Sequence, residues 1–311
     1  MKHCVVLGAN GFIGSHVCEA LLKAGHSVVA FDISRDFVSL QHLASDRLER
    51  CTGDFLDRAN IRSVLRGAHW VFHLVSTTIP ATSNQNMVFD VQTNVVASIE
   101  LLEECLQNAV EKVVFASSGG TVYGIPEHIP VAEDARHQPI VSYGNTKLII
   151  EKYCYLFRYQ FNLNTLCLRL ANPYGSGHHG LAQGVIPVFL KRILAGSPST
   201  IWGDGTIVRD YIYIKDVAKA FLRAAEYQGT ESVFNIGSGQ GSSLRDLLGL
   251  LEQVTGRKTQ VIYEAPRRFD VPEIVLDISR ARTELDWSPQ TALGDGIRRT
   301  WEALKARDQF L

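Results

Sequence analysis

Read from its amino end, the chain sets short continuous apolar runs against longer segments in which apolar residues recur every three or four positions. His3-Cys4-Val5-Val6-Leu7 is apolar without alternation, the pattern of a strand buried on both faces, and it stops at Gly8-Ala9-Asn10-Gly11-Phe12-Ile13-Gly14. Ser15 to Lys23 then carries apolar residues at helical spacing as far as Gly25, and Ser27-Val28-Val29-Ala30-Phe31-Asp32 returns to the strand pattern. The alternation continues. Val71 to Ser76, Lys112 to Ser118 and Thr165 to Leu170 read as further strands, with long helices expected around Val91 to Gln107 and Ser142 to Phe157. Pro173 and Gly175 should end the strand before them, and Ile201-Trp202-Gly203-Asp204-Gly205 reads as a turn. This order predicts an α/β fold with a parallel sheet.

The first βαβ unit carries chemistry. Its glycines suit a tight turn, close backbone approach to a pyrophosphate and close packing of helix on strand, with the helix N-terminus facing the phosphates. Asp32 closes the second strand 18 residues after Gly14, where a carboxylate accepts hydrogen bonds from the adenosine ribose and repels a 2′-phosphate. The expected cofactor is NAD rather than NADP, although Ser34 and Arg35 follow closely and an arginine there accommodates a 2′-phosphate.

Composition narrows the class. With 311 residues, 46% hydrophobic and 20% charged, the chain is long enough for one large domain and a smaller lobe. No apolar run reaches the ~20 residues of a membrane helix, and the short apolar start runs into a turn instead of a cleavage site, so neither membrane spanning nor export is expected. Lys and Arg number 31 against 32 Asp and Glu, which leaves no excess for a nucleic-acid backbone. The six cysteines show no metal-ligand spacing and read as reduced thiols of a cytoplasmic protein. His178-His179 lacks a third ligand in view and reads as a loop feature, so no metal is expected.

Ser142-Tyr143-Gly144-Asn145-Thr146-Lys147 opens the second long helix. Positions i and i+4 share a helix face, which brings the Lys147 ammonium toward the Tyr143 hydroxyl. A tyrosine of pKa about 10 is a poor base at neutral pH, and a nearby cation favours its phenolate.

The glycine spacing, together with Tyr143 and Lys147, resembles the extended short-chain dehydrogenase/reductase superfamily, in particular its nucleotide-sugar epimerase/dehydratase branch. The resemblance runs almost the whole length and implies a Rossmann-type doubly wound parallel sheet with a smaller C-terminal substrate lobe. Residues 1 to 170, with 211 to 235 returning to them, would hold NAD, and 171 to 210 with 236 to 311 would hold a nucleotide sugar. Cofactor contacts implied are Gly8, Gly11, Phe12, Ile13, Gly14, Asp32, Asp54, Phe55, Leu74, Tyr143 and Lys147. Asp54 equally suits the N-cap of a helix beginning near Arg58. In Val71-Phe72-His73-Leu74-Val75-Ser76, Val-Ser replaces the family's Ala-Ala, and Asn94 matches an asparagine expected to order the fold.

The resemblance also assigns the substrate side. A catalytic Ser or Thr belongs at the end of the Lys112 strand, where counting from Phe115 selects Ser118, counting back from Tyr123 reaches Gly119, and Thr121 stands in reserve. The Asp-Glu pair of the sugar dehydratases is missing, since Gly119-Gly120 or Gly120-Thr121 occupies those positions. Asn172 and Arg209 inherit contacts to the substrate phosphates, and Tyr174 is a further candidate. Either Arg267 or Arg268 should reach the phosphates and Asp270 the nucleotide ribose, while Asp210 and Asp216 fasten the lobes and cap a helix at Val217. Ile274, or Glu273 or Val275 in a shifted register, falls where relatives control access of N-acetylated sugars. The expected activity is NAD-dependent epimerisation at carbon 4 of a UDP-glucose-type sugar by a homodimer, with Tyr143 as base. The alternatives are a 4-ketoreductase or dehydrogenase, and a non-catalytic NAD sensor.

Overall fold

The computed structural model describes residues 1–177, 184–267 and 269–308. Its first part runs β1 (His3–Leu7), α1 (Phe12–Lys23), β2 (Ser27–Asp32), β3 (Leu48–Thr52), α2 (Arg58–Val64), β4 (Trp70–His73), α3 (Met87–Asp90), α4 (Ala97–Gln107), β5 (Lys112–Ser118), α5 (Ser142–Phe161) and β6 (Asn164–Leu170). There follow β7 (Asn172–Tyr174), α6 (Val185–Leu194), β8 (Ser199–Trp202), β9 (Val208–Tyr213), α7 (Ile214–Glu226), β10 (Val233–Ile236), β11 (Gly241–Ser243) and α8 (Leu244–Thr255). The chain closes with β12 (Val261–Glu264), β13 (Glu273–Ile274), α9 (Ser279–Glu284) and α10 (Leu293–Asp308).

Seven strands form a parallel sheet in the order β10-β6-β5-β4-β1-β2-β3. Burial on both faces explains the unbroken apolar runs. Cys4, Val6, Phe72 and Val114 pack toward α1 and α7, whereas Val5, Leu7, Val113 and Phe115 pack toward α4 and α5. A third core, with Phe189, Leu190, Tyr211, Leu247 and Trp301, lies in the C-terminal part. The order reverses direction between β1 and β4, the place where open α/β sheets bind ligands at their carboxyl edge.

Four local expectations change. The helix expected from Val91 begins at Met87 and passes through a π-helical stretch, Val91–Val96, before α4. Thr93 donates to the Phe89 carbonyl (2.8 Å), Asn94 to that of Asp90 (3.0 Å) and Ser98 to that of Asn94 (2.5 Å), so side chains compete for the helix's own acceptors. Pro173 does not end the strand before it. After Ala171 the chain continues as β7, which among the described residues pairs only with β9, and an edge strand tolerates the missing N–H. Ile201 and Trp202 belong to β8, and the turn is confined to Gly203–Gly205, whose two glycines have φ of 82° and 84°. Asp216 is not a helix cap, because α7 already starts at Ile214. It lies in the first turn and accepts from the Thr291 amide (3.0 Å), while Asp210 accepts from Ser238, Gly239 and Leu276.

Candidate active site

The glycine turn joins β1 to α1. Gly8 has φ +82°, and a Cβ there would stand 3.2 Å from the Leu74 backbone. A Cβ on Gly14 would fall 2.1 Å from the Gly8 carbonyl oxygen, so only glycine lets the helix start this close to the strand. No side chain caps α1 at Gly11, which leaves the positive helix end, with Phe12 and Ile13, bordering an open cradle. Asp32 accepts from the amides of Asn10 (2.9 Å) and Ser34 (3.1 Å) and retains lone pairs for a ribose hydroxyl. Asp54 is exposed and accepts from the Leu56 amide (2.9 Å). The cap of α2 is Asp57, which corrects the capping alternative for Asp54. Phe55 is buried and stacks on His73 at 5.1 Å.

Tyr143 sits in the first turn of α5, and the segment after β4 wraps around that turn. Ser83 accepts from the Tyr143 amide (3.1 Å), Asn84 from the Ser142 amide (2.8 Å), and buried Asp90 from the Ser142 hydroxyl (2.6 Å). Asn94 is fully bonded to Thr77 and Asp90, the ordering role expected of it. Lys147 donates to the Ala116 carbonyl (2.9 Å) and stands 4.8 Å from the Phe115 ring centre and 5.4 Å from that of Tyr143. Burial lowers its pKa to about 8, with Asp90 and Glu151 opposing. Burial pushes the Tyr143 hydroxyl up to about 12 and Asp90 adds to the rise, while a hydrogen bond with Ser76 works against it. Burial, not the neighbouring cation, is therefore the largest influence on the Tyr143 hydroxyl. The buried pair Glu151–Arg169 (2.6 Å) fixes α5 to β6, with the Ser117 hydroxyl also on Glu151 and the Tyr123 hydroxyl on Arg169 (2.9 Å).

Ser118 is the last residue of β5, and alternation sends it with Val114 and Ala116 away from the α5 face that Phe115 and Ser117 meet. Thr121 lies against α5: a Cβ on Gly144 would be 2.7 Å from its carbonyl oxygen, and its hydroxyl is buried without a partner among the described residues. At Gly119 a side chain would collide with Leu276 (2.6 Å), so the pair found in dehydratases has no room to begin there.

A second centre is a cavity of about 540 Å³ that brings together Asn172, Arg209 and Asp270. Arg267 also lines it, forked onto Asp270 (2.8 Å twice) and stacked 4.3 Å from the Trp202 ring centre, whereas Arg268 lies outside the described residues, as do His178 and His179. Asn172 donates to the Asp210 carbonyl (3.0 Å), and the buried Tyr211 hydroxyl in the cavity wall has no partner among the described residues. Burial lowers the pKa of Arg209. Ile274 is 2% exposed in the core beside Arg209 and does not line the cavity, which removes it as a sugar gate; Val275 is buried too. Sequence reasoning missed Ser76, Ser83, Asn84, Ala81 and Trp202. Only the Val-Ser departure after Leu74 signalled any of them.

A glycine-cradled cleft beside a Tyr-Lys helix, with an arginine-lined cavity across from it, defines a nucleotide-dependent enzyme of the extended reductase type. Residues 4–237 match the model of the NAD dependent epimerase/dehydratase family, and the chain belongs to that family. It is 36% identical to a UDP-glucose 4-epimerase of Mycolicibacterium smegmatis over 98% of this chain and 99% of the relative. It is 34% identical to a dTDP-4-dehydro-6-deoxyglucose reductase of Escherichia coli over 97% and 98%. The crystal structure of a UDP-glucose 4-epimerase from Thermotoga maritima with UDP-glucose superposes with a TM-score of 0.90 at 33% identity, covering 98% of this chain and 99% of that one.

Proposed function

We propose that the protein is an NAD-dependent epimerase acting at carbon 4 of a nucleotide-activated hexose of the UDP-glucose type. The observation that carries this reading is the convergence of Asn172, Arg209, Arg267 and Asp270 on one cavity that Ala81, from the segment wrapping Tyr143, also lines. Arg209 and Arg267 suit a diphosphate, with the Tyr211 hydroxyl as a further donor. Asp270 suits the nucleotide ribose, and Asn172 has its amide oxygen left to accept. Residues 1–170 and 211–235 form the cofactor part and the remainder the sugar-binding lobe; the edge position of β10 in the seven-stranded sheet supports that division.

Gly8, Gly11, Phe12, Ile13, Gly14, Asp32 and Leu74 hold NAD, with Asp54 and Phe55 at its adenine end. Bound there, NAD would supply reversible hydride acceptance and, in its oxidised form, a positive charge beside the sugar. Tyr143 takes the proton of the 4-hydroxyl and later returns it, and Lys147 orients it and the cofactor ribose. The 4-keto sugar turns over between the two transfers, which inverts carbon 4. Ser118 or Thr121 supplies the hydroxyl that steadies the sugar oxygen, and the burial of Thr121 beside Gly144 supports Thr121.

Exposed Met87, Val88, Tyr155, Leu156 and Tyr159 leave an apolar face on α3 and α5, which supports a homodimer through these helices. Six free cysteines suit a cytoplasmic setting. The similarity to the dTDP-sugar reductase supports a second reading, reduction of a 4-keto sugar with release of oxidised cofactor. The test is incubation with UDP-glucose, UDP-galactose and a dTDP-4-keto-6-deoxy sugar, following products by NMR and cofactor by absorbance. Interconversion of the UDP-sugars without net cofactor change is expected. Consumption of added NADH with the keto sugar alone would overturn it in favour of the reductase.

A further inference from the structure

We propose that Ser83 and Asn84 are positioning residues for Tyr143, capping from a distant segment the helix turn on which it stands. The inference rests on the epimerase reading and deepens it, since it concerns the base of that reaction.

The opening amides of a helix find no carbonyl within it. At the start of α5 the amides of Gly144 and Asn145 turn back to the Val141 carbonyl (3.0 and 3.2 Å), which leaves those of Ser142 and Tyr143. Val141 has no side-chain acceptor to offer them. Asn84 takes the first (2.8 Å), 58 positions earlier in the chain, and Ser83 takes the second (3.1 Å), 60 positions earlier. Ser83 is fully buried in a short helical turn, Ser83–Gln85. Its own proton goes to the Pro80 carbonyl (3.4 Å), so a lone pair faces the Tyr143 amide.

A serine or asparagine at position 141 would satisfy the same helix end without help. What a cap from this segment adds is a fixed relation between the base and the arginine-lined cavity, whose wall includes Ala81 of the same segment. A second tie joins the two elements: buried Asp90 accepts from the Thr78 hydroxyl (2.5 Å) on the segment and from the Ser142 hydroxyl (2.6 Å) on the helix. The segment is itself anchored, with the Thr77 amide donating to Asn94 (3.0 Å). With its backbone held this way, the two side-chain torsions of Tyr143 alone place the hydroxyl. Loss of a cap lets the first turn fray, and a reacting group displaced by about 1 Å loses about 10²-fold in rate.

The experiment compares the parent with Ser83→Ala, Asn84→Ala and Asn84→Asp, all with NAD bound. Asn84 is exposed, so its variants keep the fold, and aspartate keeps an acceptor suited to a helix N-terminus. Hydrogen exchange in the first turn of α5 should quicken about tenfold in each alanine variant and return in Asn84→Asp. Turnover of the sugar that the parent converts should follow: kcat falls about 10- to 100-fold in the alanine variants, KM and NAD affinity hold, and Asn84→Asp recovers. On a Tyr143→Phe background the alanine variants should cost little more, because a residue that acts through the tyrosine hydroxyl has nothing left to position. Unmoved exchange or unmoved kcat in both alanine variants, a rise of KM in place of the fall in kcat, or the full loss repeated on the Tyr143→Phe background would overturn the proposal. The exchange measurement uses no sugar, so failure of the cap and failure of the epimerase reading are told apart.

Discussion

The cofactor cleft and the arginine-lined cavity are built by opposite means. In the cleft, the decisive atoms are backbone or lie within one turn of each other: Gly8 to Gly14 shape the cradle, and Tyr143 and Lys147 share a helix face. The cavity wall is drawn from residues as far apart as Ala81, Asn172, Trp202, Arg209 and Asp270, and its polar groups are long side chains. A locally encoded site loses its function with a single atom. A distributed one weakens by degrees, because several groups share the same ligand.

The sharpest test of that contrast is Tyr143→Phe. It removes one hydroxyl from the cleft and should lower turnover by about 10² to 10⁴, the usual worth of a general base, with bound NAD unchanged. Turnover within tenfold of the parent, measured by NMR on the active sugar, would break the comparison. Paired variants Ser118→Ala and Thr121→Val separate the two hydroxyls at the end of β5, and the larger loss is expected from Thr121→Val. Next in size is Arg169→Met. It strands Glu151, on the buried face of α5, with the Ser117 hydroxyl in place of an ion pair, and urea unfolding should show a loss of about 3–5 kcal/mol.

The cavity should respond more mildly. Arg209→Ala and Arg267→Ala should each raise KM for the nucleotide sugar by about 10- to 100-fold, the loss expected of a charged hydrogen bond, with kcat kept within a few fold. Arg209 should cost more, because Arg267 already shares its fork with Asp270. Equal collapse of kcat in both would mean that the cavity is part of the chemistry and not a separate anchor.

The same contrast explains what could be read from sequence. Gly8, Gly11, Gly14 and Asp32 were legible because strand, turn and helix are adjacent in the chain and each glycine answers to backbone geometry. Tyr143 and Lys147 were legible because helical spacing puts them together. Their energetics were not: burial and Asp90 act on Tyr143 through space, and the segment after β4 that wraps it comes from far earlier in the chain. Spacing to Asp270 favoured Arg267 and the strand side Arg268, and only the folded turn shows Arg267 at the cavity. The continuation of β6 into β7 past Pro173 was hidden because β9, its partner, comes much later in the chain.

Ile274→Tyr tests the edge of the cavity. With Ile274 packed in the core on β13 beside β9, the larger ring should cost about 1–3 kcal/mol of stability by overpacking. The ratio of kcat/KM for N-acetylated and plain sugars should stay where it was. A changed ratio in a variant of parental stability would return Ile274 to the site.

The smallest effect is expected at Asp32. Its carboxylate does two things at once: it accepts from the Asn10 and Ser34 amides, which fixes the turn, and it repels a 2′-phosphate. The group is partly exposed, where charge effects are screened, so Asp32→Ala should narrow the preference for NAD over NADP by about tenfold or less. Alanine also frees both amides and loosens the cradle, so NAD affinity should fall while NADP affinity rises only slightly. Asp32→Asn separates the two contributions, because it keeps an acceptor of the same shape without the charge. If charge decides the preference, asparagine narrows the gap as far as alanine does; if the anchored turn decides it, asparagine keeps most of the gap. Isothermal titration of both cofactors against the three proteins distinguishes them, and equal affinity of the parent for NAD and NADP would remove Asp32 as the selector, leaving exposed Arg35 to be tried next.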